Sequence, residues 1–469
     1  MDSSDQPFCI AIIGAGVSGS LLAAQLLRHA DTPLHVRLIE RSGEFGRGVA
    51  YGTRCPEHRL NVPAGRMGAF PEEPDGFLRW VTARAGWKGF PVRVSAGDYL
   101  PRQLYGEYVA DVLAAAETVA AAPGTICERI SAEIVDIDDT SDRLVLKSND
   151  ERVFPADLVV LAIGNLPGEY PIPRPLPIYQ TPRYVHIPWR GDALEGIGPN
   201  DDVLLVGQGL TATDLIVQLD ARGHRGTIHA LSRHGIRPQV HGTSAPAAGW
   251  WGREAVPPTI RAWTRRVRRE IARRGDWRAV IDGLRPETQA LWQAFSPEER
   301  ARFMRHVRPL WEAHRHRIAP QTAAIVERLV AEGRLKFHAG RLQVLEAGGQ
   351  GVQALLRRRG TIQHVSLQVA KVINCTGPRT DYTKYQHPLL VHLLARGLID
   401  HDRLALGLNA LTSGEIVRYR GAPLERLFTL GPPMKGVLWE STAVPEIRVQ
   451  ARDLAVKLLA AASARVAVT

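Results

Sequence analysis

The sequence predicts an α/β fold in which one strand, glycine turn and helix unit is used twice. Three observations point to it. An apolar run enters spaced glycines at residues 8–19, the same pattern returns at 202–212, and each copy is followed, over a hundred residues later, by an apolar strand that ends at a glycine.

In the first copy the run Phe8-Cys-Ile-Ala-Ile-Ile leads into Gly14-Ala-Gly16-Val17-Ser18-Gly19 and leaves as the apolar stretch 20–27. Gly14 permits the tight turn, Gly16 lets a diphosphate approach the backbone, and Gly19 lets helix and strand pack closely. The amides of Gly16, Val17, Ser18 and Gly19 then open a helix whose N-terminus favours phosphate. The next strand, residues 34–39, ends at Glu40, 21 residues after Gly19, where a carboxylate accepts from a ribose hydroxyl. A lone glycine pattern is weak, but strand, turn, helix, strand and acid in this order are not.

The second copy, 202–218, carries Gly207-Gln-Gly209-Leu-Thr211-Ala212, with alanine as the third small residue. The following strand, 226–231, runs into Arg233, which stands 21 residues after Ala212, where the first copy has Glu40. An arginine there suits a 2′-phosphate, so the second site leans toward NADPH, with NADH also possible. Residues 126–164 and 335–377 repeat short strands, a polar turn (138–142; 348–351) and a closing strand reaching Gly164 and Gly377. The prediction is two nested Rossmann-like dinucleotide-binding domains with β-meanders, one over 1–195 and an NAD(P)-binding one over 196–240 and 335–377; the family resemblance given below implies that the first binds FAD and returns over 378–469. Between them 241–334, rich in Trp, Arg and helix formers, reads as a helical insertion, with Ser296-Pro-Glu-Glu a capped helix start. Long insertions in such folds often carry function, here a lid or substrate wall.

Composition narrows the class. The 469 residues allow two or three domains, and 45% hydrophobic with 23% charged residues is ordinary for a globular protein. Four dispersed cysteines, Cys9, Cys55, Cys127 and Cys375, form no C-x-x-C pair, which argues against a zinc site or a dithiol relay and suits a reducing cytoplasm. The acidic start, residues 1–6, lacks a signal peptide's basic region, and no apolar run approaches a membrane span. The net charge of +11 is partly local, in the basic run 261–274, read as a solvated helix face. The remaining excess suits a small anionic substrate or cofactor.

With both loops placed, the chain resembles the two-dinucleotide-binding-domain flavoproteins, which include flavin monooxygenases, amine N-hydroxylases and pyridine nucleotide reductases. More narrowly, Gly46-Arg-Gly-Val-Ala-Tyr51, Leu60-Asn61-Val-Pro63, Leu100-Pro-Arg102 and Trp311-Glu-Ala-His314 look like a family of FAD/NAD(P)-binding proteins that contains an FAD-dependent urate hydroxylase. That resemblance implies FAD contacts from Arg41, Tyr51, Asn61, Arg102, Gly431 and Trp439, beside those of the first loop. It also implies a final helix after Pro445, running to about residue 461, whose N-terminus points at the flavin. The relatives' Gly-Asp is Gly431-Pro432 here, a departure in the segment that the resemblance assigns to the ribityl chain.

The expected activity is an FAD-dependent, NAD(P)H-consuming monooxygenase acting with oxygen on a small polar metabolite, urate first. The alternatives are an amine or amino-acid N-hydroxylase, a flavin reductase feeding a partner, and a non-enzymatic nucleotide or nucleic-acid binder. Candidate substrate contacts are Arg66 and the cluster His314, Arg315, His316 and Arg317, which equally reads as a basic helix end. No metal site is expected, because no carboxylate or cysteine accompanies these histidines at ligand spacing. No nucleic-acid or membrane partner is expected.

Overall fold

In the computed structural model, residues 7–86, 93–252 and 256–466 are described. The acidic N-terminal stretch 1–6 lies outside them. The chain forms two compact units: one runs to Arg54, continues through Val62–Leu166 and resumes from Thr380, and the other comprises Cys55–Asn61 and Pro167–Arg379.

The first unit opens with β1 (Phe8–Ile13), α1 (Val17–His29) and β2 (Leu34–Glu40), followed by α2 (Gly48–Tyr51), α3 (Gly76–Thr82) and α4 (Arg102–Thr118). Then come β3 (Ile126–Ser131), the meander β4 (Ile134–Asp139), β5 (Leu144–Ser148) and β6 (Val153–Ala156), and β7 (Leu158–Leu161). The second unit contributes β8 (Tyr184–Val185), β9 (Val203–Val206), α5 (Leu210–Ala221) and β10 (Ile228–Ser232). Its helices α6 (Ile260–Arg274), α7 (Trp277–Leu284), α8 (Thr288–Ala294), α9 (Pro297–His306), α10 (Arg308–Arg315) and α11 (Pro320–Ala331) precede β11 (Leu335–Gly348), β12 (Gly351–Arg358), β13 (His364–Val369) and β14 (Lys371–Asn374). The first unit then resumes with α12 (Pro388–Ala395), β15 (Glu415–Val417), β16 (Pro423–Thr429) and α13 (Val444–Val466).

Its main sheet has the order β15-β16-β7-β1-β2-β3. β1 lies parallel to β2 and β7, with Ile12 level with Leu38 on one side and Val160 on the other. Strands covered on both faces read as continuous apolar runs, which is why β1 and β7 lack alternation. Residues 17–27 of α1 are all buried, as expected of a helix that packs against α4 and α13 as well as the sheet. The second unit repeats the plan in the order β13-β12-β11-β10-β9-β14-β8, with β9 parallel to β10 and β14. Each closing strand is therefore inserted beside the first strand of its unit, as the internal repeat predicts.

Two boundaries differ from the sequence expectation. Residues 167–195 belong with the second unit, because β8 adds to the edge of β14, with Tyr184 level with Val372. The short stretch Cys55–Asn61 also belongs there: the His58 ring donates to the Asp214 carbonyl at 3.1 Å. The insertion is helical as expected. Its core gathers Trp250, Val280 and Leu284 with Trp263 and Trp311 around them, and the Trp250 indole donates to the Val280 carbonyl at 3.0 Å. Ser296 caps α9 by accepting from the Glu299 amide, with Pro297 in the first turn. The basic run is α6, and part of its charge is spent internally: Arg273 and Arg274 hold the Glu270 carboxyl down at about 2, while Arg266 turns inward to the Trp250 carbonyl.

The first glycine of each loop is a steric requirement of the fold. At Gly14 (φ +103°) a Cβ would stand 2.4 Å from the Ala162 carbonyl oxygen, and at Gly207 (φ +136°) 2.0 Å from that of Cys375. Both contacts are to the backbone just past the closing strand, which cannot yield. Gly207→Ala is therefore expected to lower the unfolding free energy by more than about 2 kcal/mol, since strained backbone alone costs about 1–3 kcal/mol. Urea titration followed by fluorescence measures it, and a wild-type midpoint would contradict this account.

Candidate cofactor sites

The second glycines behave differently. Gly16 and Gly209 cap α1 and α5 with φ −66° and −83°, values open to any residue, and neither helix has a side-chain cap. A Cβ at Gly16 would come no closer than 3.5 Å to anything, and at Gly209 it would meet nothing within 4 Å. The fold does not need glycine at either place. A ligand pressed against the backbone does, and uncapped amides at a helix N-terminus suit a diphosphate. The third position separates the copies: a Cβ on Gly19 would fall 1.9 Å from the Gly14 carbonyl oxygen, whereas Ala212 is accommodated and fully buried.

Around the start of α1 the first unit gathers three further backbone segments. The Gly46 amide donates to the Ala15 carbonyl at 2.9 Å, and Gly48 (φ +56°) places its Cα where a Cβ on Gly16 would meet it. Gly431 (φ +76°) approaches so closely that a Cβ would lie 2.6 Å from Ser18 Oγ, and its amide donates to Gln450 at 2.9 Å. Glu40 ends β2 with one carboxylate oxygen accepting from the Ala15 amide at 3.0 Å and the other from Ser42, which fixes the acid at the edge of the loop. Arg41 points away, toward Glu133 at 3.4 Å. This cradle fits the adenosine diphosphate half of FAD.

Tyr51 and Arg102 form a second part of this unit. The Tyr51 ring lies 4.7 Å from that of Tyr105, and burial pushes the Tyr51 hydroxyl up to about 12, with Arg102 drawing it partly back. Trp439 is buried, with the Lys435 ammonium 4.8 Å above its ring. Ser441, fully buried just ahead of α13, has a hydroxyl without a partner, which suits a ligand acceptor at that helix start. Gly48 lies in the Gly46–Tyr51 segment that carries the family resemblance, but the spacing of the glycine loops singles out neither Gly48 nor Ser441. Arg66 is exposed in the same unit.

In the second unit Thr211 is half-buried in the first turn of α5, and Gln208 turns inward. Its amide donates to the Ala230 and His338 carbonyls at 2.7 and 2.9 Å and accepts from Ser232 Oγ at 2.9 Å, and Ser232 Oγ in turn accepts from the Gly235 amide at 3.0 Å. One side chain thus ties the glycine loop to β10, β11 and the turn that carries Arg233. Arg233 itself is exposed at the end of β10. The Asn61 carbonyl accepts from the His241 ring at 3.0 Å, and burial with Arg317 and Arg315 nearby lowers the His241 pKa to about 4.

The cationic cluster at 314–317 is not brought to one face. Arg317 is buried and makes a two-armed ion pair with Asp282 at 2.9 and 2.8 Å, while its Nε donates to the His314 carbonyl. It fastens the end of α10 to α7 rather than offering charge to a substrate. His314 packs edge-on against Trp277 and donates to the Leu310 carbonyl, and Arg315 and His316 are half-buried. Among the described residues no cluster of His, Cys, Asp and Glu has metal-binding geometry, and no helix is long and apolar enough to cross a membrane.

Residues 11–166 match a family model described as FAD-NAD(P)-binding. No curated protein matches the chain by sequence. Solved structures match along nearly its whole length. The cadaverine monooxygenase of desferrioxamine biosynthesis from Erwinia amylovora, bound to FAD, is 13% identical with a TM-score of 0.67, covering 97% of this chain and 95% of its own. L-lysine 6-monooxygenase from Pseudomonas syringae is 16% identical with a TM-score of 0.64, covering 97% and 100%. The ornithine N-hydroxylase of Kutzneria sp. 744, with reduced FAD, NADP+ and L-ornithine, is 13% identical with a TM-score of 0.61, covering 97% and 99%. The chain has the two-dinucleotide-binding-domain flavoprotein fold.

Two outcomes are expected. Gly16→Ala and Gly209→Ala keep the wild-type unfolding midpoint, while the first loses FAD on gel filtration and the second raises the Kd for NADP+ at least tenfold. A collapsed midpoint in either would mean that the glycine serves the fold. Because the folded His241 pKa lies below its usual 6.5, its contribution to stability is complete above pH 6.5 and is lost as pH falls toward 4. The difference in unfolding free energy between wild type and His241→Gln should be flat above pH 6.5 and shrink below it; a pH-independent difference would refute the assignment.

Proposed function

We propose that the chain is an FAD-dependent, NADPH-consuming monooxygenase that hydroxylates the nitrogen of a primary amine or amino acid. The observation that carries this reading is the closeness of the likeness: the cadaverine and lysine monooxygenases and the ornithine N-hydroxylase superpose with TM-scores of 0.61–0.67 over 95–100% of their own chains, whereas a bacillithiol disulfide reductase from Staphylococcus aureus, matched over 99% of its own, reaches 0.54. The urate expectation has no comparable support, and the amine alternative takes its place.

FAD, when bound, supplies the electron relay from nicotinamide to oxygen. The chain's own residues bind and orient. The α1 amides with Gly16 and Gly48 take the diphosphate, and Glu40 takes the ribose. Ser441 and the start of α13 offer donors to the ring, where a helix N-terminus stabilises negative charge. In the second unit the α5 amides at Gly209 take the second diphosphate, with Arg233 beyond it.

The cysteines favour oxygen chemistry over a disulfide reductase. None of the four is in a disulfide. Burial raises Cys9 to about 11 and Cys127 to about 12, and also raises Cys55 and Cys375, so none is a ready thiolate and no dithiol relay is at hand.

Purified enzyme should bleach with NADPH and reoxidise in air. It should form a hydroxylamine from at least one of ornithine, lysine, cadaverine or putrescine, with product matching NADPH consumed, and leave urate untouched. Turnover of urate without amine hydroxylation, or reduction that feeds only an artificial acceptor, would sink the proposal.

A further inference from the structure

The turn after β10 and the hairpin of β11 and β12 enclose an open pocket of about 500 Å³ lined by Arg233, Arg341, Arg357, Arg358 and Arg359. These five guanidinium groups come from two segments that the sheet register brings together. Ser232 is level with Ala339 on the neighbouring strand, so Arg233 and Gly340 follow side by side, and across the hairpin Gly340 faces Arg358 while Arg341 faces Arg357. Glycine at 340 lets the two strands of the hairpin close up, since a Cβ there would stand 2.3 Å from the Arg357 carbonyl oxygen. The Arg359 guanidinium donates to the His234 carbonyl at 2.9 Å and its amide to the Ala339 carbonyl, which locks the turn onto the hairpin.

The charge is unbalanced. Like charges directly opposite on paired strands are destabilising, yet Arg341 faces Arg357 and, among the described residues, no carboxylate pairs with any of the five. The corresponding meander of the first unit is arranged the other way: Asp136, Asp138 and Asp139 on β4 are each met by an arginine, Arg396, Arg418 or Arg426. His234 registers the excess, its protonation being disfavoured by partial burial and by Arg359, Arg233 and Arg341. An uncompensated cluster of this kind, at the strand end where the ribose of the second nucleotide belongs, is built for a doubly charged group.

We propose that Arg341, Arg357 and Arg358, together with Arg233, form a phosphomonoester site that takes the 2′-phosphate of NADPH and makes the chain selective for it over NADH. The proposal rests on the reading of the second loop as a nicotinamide nucleotide site. Its new element is that selectivity is carried by the β11–β12 hairpin and not by Arg233 alone.

The test uses the purified full chain, wild type and the exposed-residue variants Arg341→Gln and Arg358→Gln. Calorimetry with adenosine 2′,5′-bisphosphate and with 5′-AMP should show wild type favouring the bisphosphate at least tenfold and each variant losing most of that preference. In steady state each variant should lower kcat/KM for NADPH at least tenfold while leaving that for NADH within twofold. Equal losses with both nucleotides, or an unchanged preference in both variants, would overturn it. So would salt-sensitive RNA or DNA binding that depends on the same arginines without any preference for the bisphosphate. If neither nucleotide reduces the flavin, the oxidoreductase reading fails, and the calorimetric comparison still decides the phosphate site.

Discussion

Two backbone carbonyls, those of Ala162 and Cys375, occupy the space that a side chain on Gly14 or Gly207 would need. Because β7 and β14 are threaded beside β1 and β9, those carbonyls arrive at the sheet edge where the chain turns from strand to helix. Each loop is thereby seated on its own closing strand, and the start of α1 or α5 is fixed against the sheet without help from a side-chain cap. The amides at these helix starts are left without a side-chain cap, and the second glycine keeps the approach to them clear. Binding capacity in both units is thus a by-product of how the sheet is closed.

This dependence explains what could be read from the sequence. Glycine spacing, the strand after each helix, and the closing strands at 157–164 and 370–377 are set by local sterics and by burial on both faces, so they leave a pattern in residue order. The capped start of α9 is legible for the same reason, since Ser296, Pro297 and Glu299 act within one turn. The edge between the units was not. β8 is two residues long and is defined only by its pairing with β14, nearly 190 positions later, so nothing near Tyr184 announces which sheet it joins.

The site was legible in its backbone and obscure in its side chains. Gly16 and Gly209 follow from the loop motif, whereas Gly48 is marked by its approach to Gly16 and Ser441 by the burial of a hydroxyl without a partner. The run His314 to Arg317 shows the converse. Adjacent cations suggest a common face, and the partner that decides otherwise, Asp282, lies 35 positions upstream on another helix. A buried guanidinium that meets a carboxylate with both arms and packs over Trp277 is structural, because leaving either charge unpaired inside would be strongly destabilising.

The net charge of +11 is therefore not a uniform property of the surface. On α6 it is partly cancelled by Glu270, just past α10 it is drawn inward by Asp282, and at the first meander arginines of later segments neutralise aspartates. The second meander instead holds cations against one another, with Arg341 opposite Arg357. The two copies of one architecture thus differ at their meanders, one neutralised by ion pairs from Arg396, Arg418 and Arg426 and the other left with positive charge that folding does not satisfy. A neutralised meander has little field left to offer a ligand, whereas the unpaired one attracts anions to the edge of β10 before contact is made, and that attraction weakens as salt screens it.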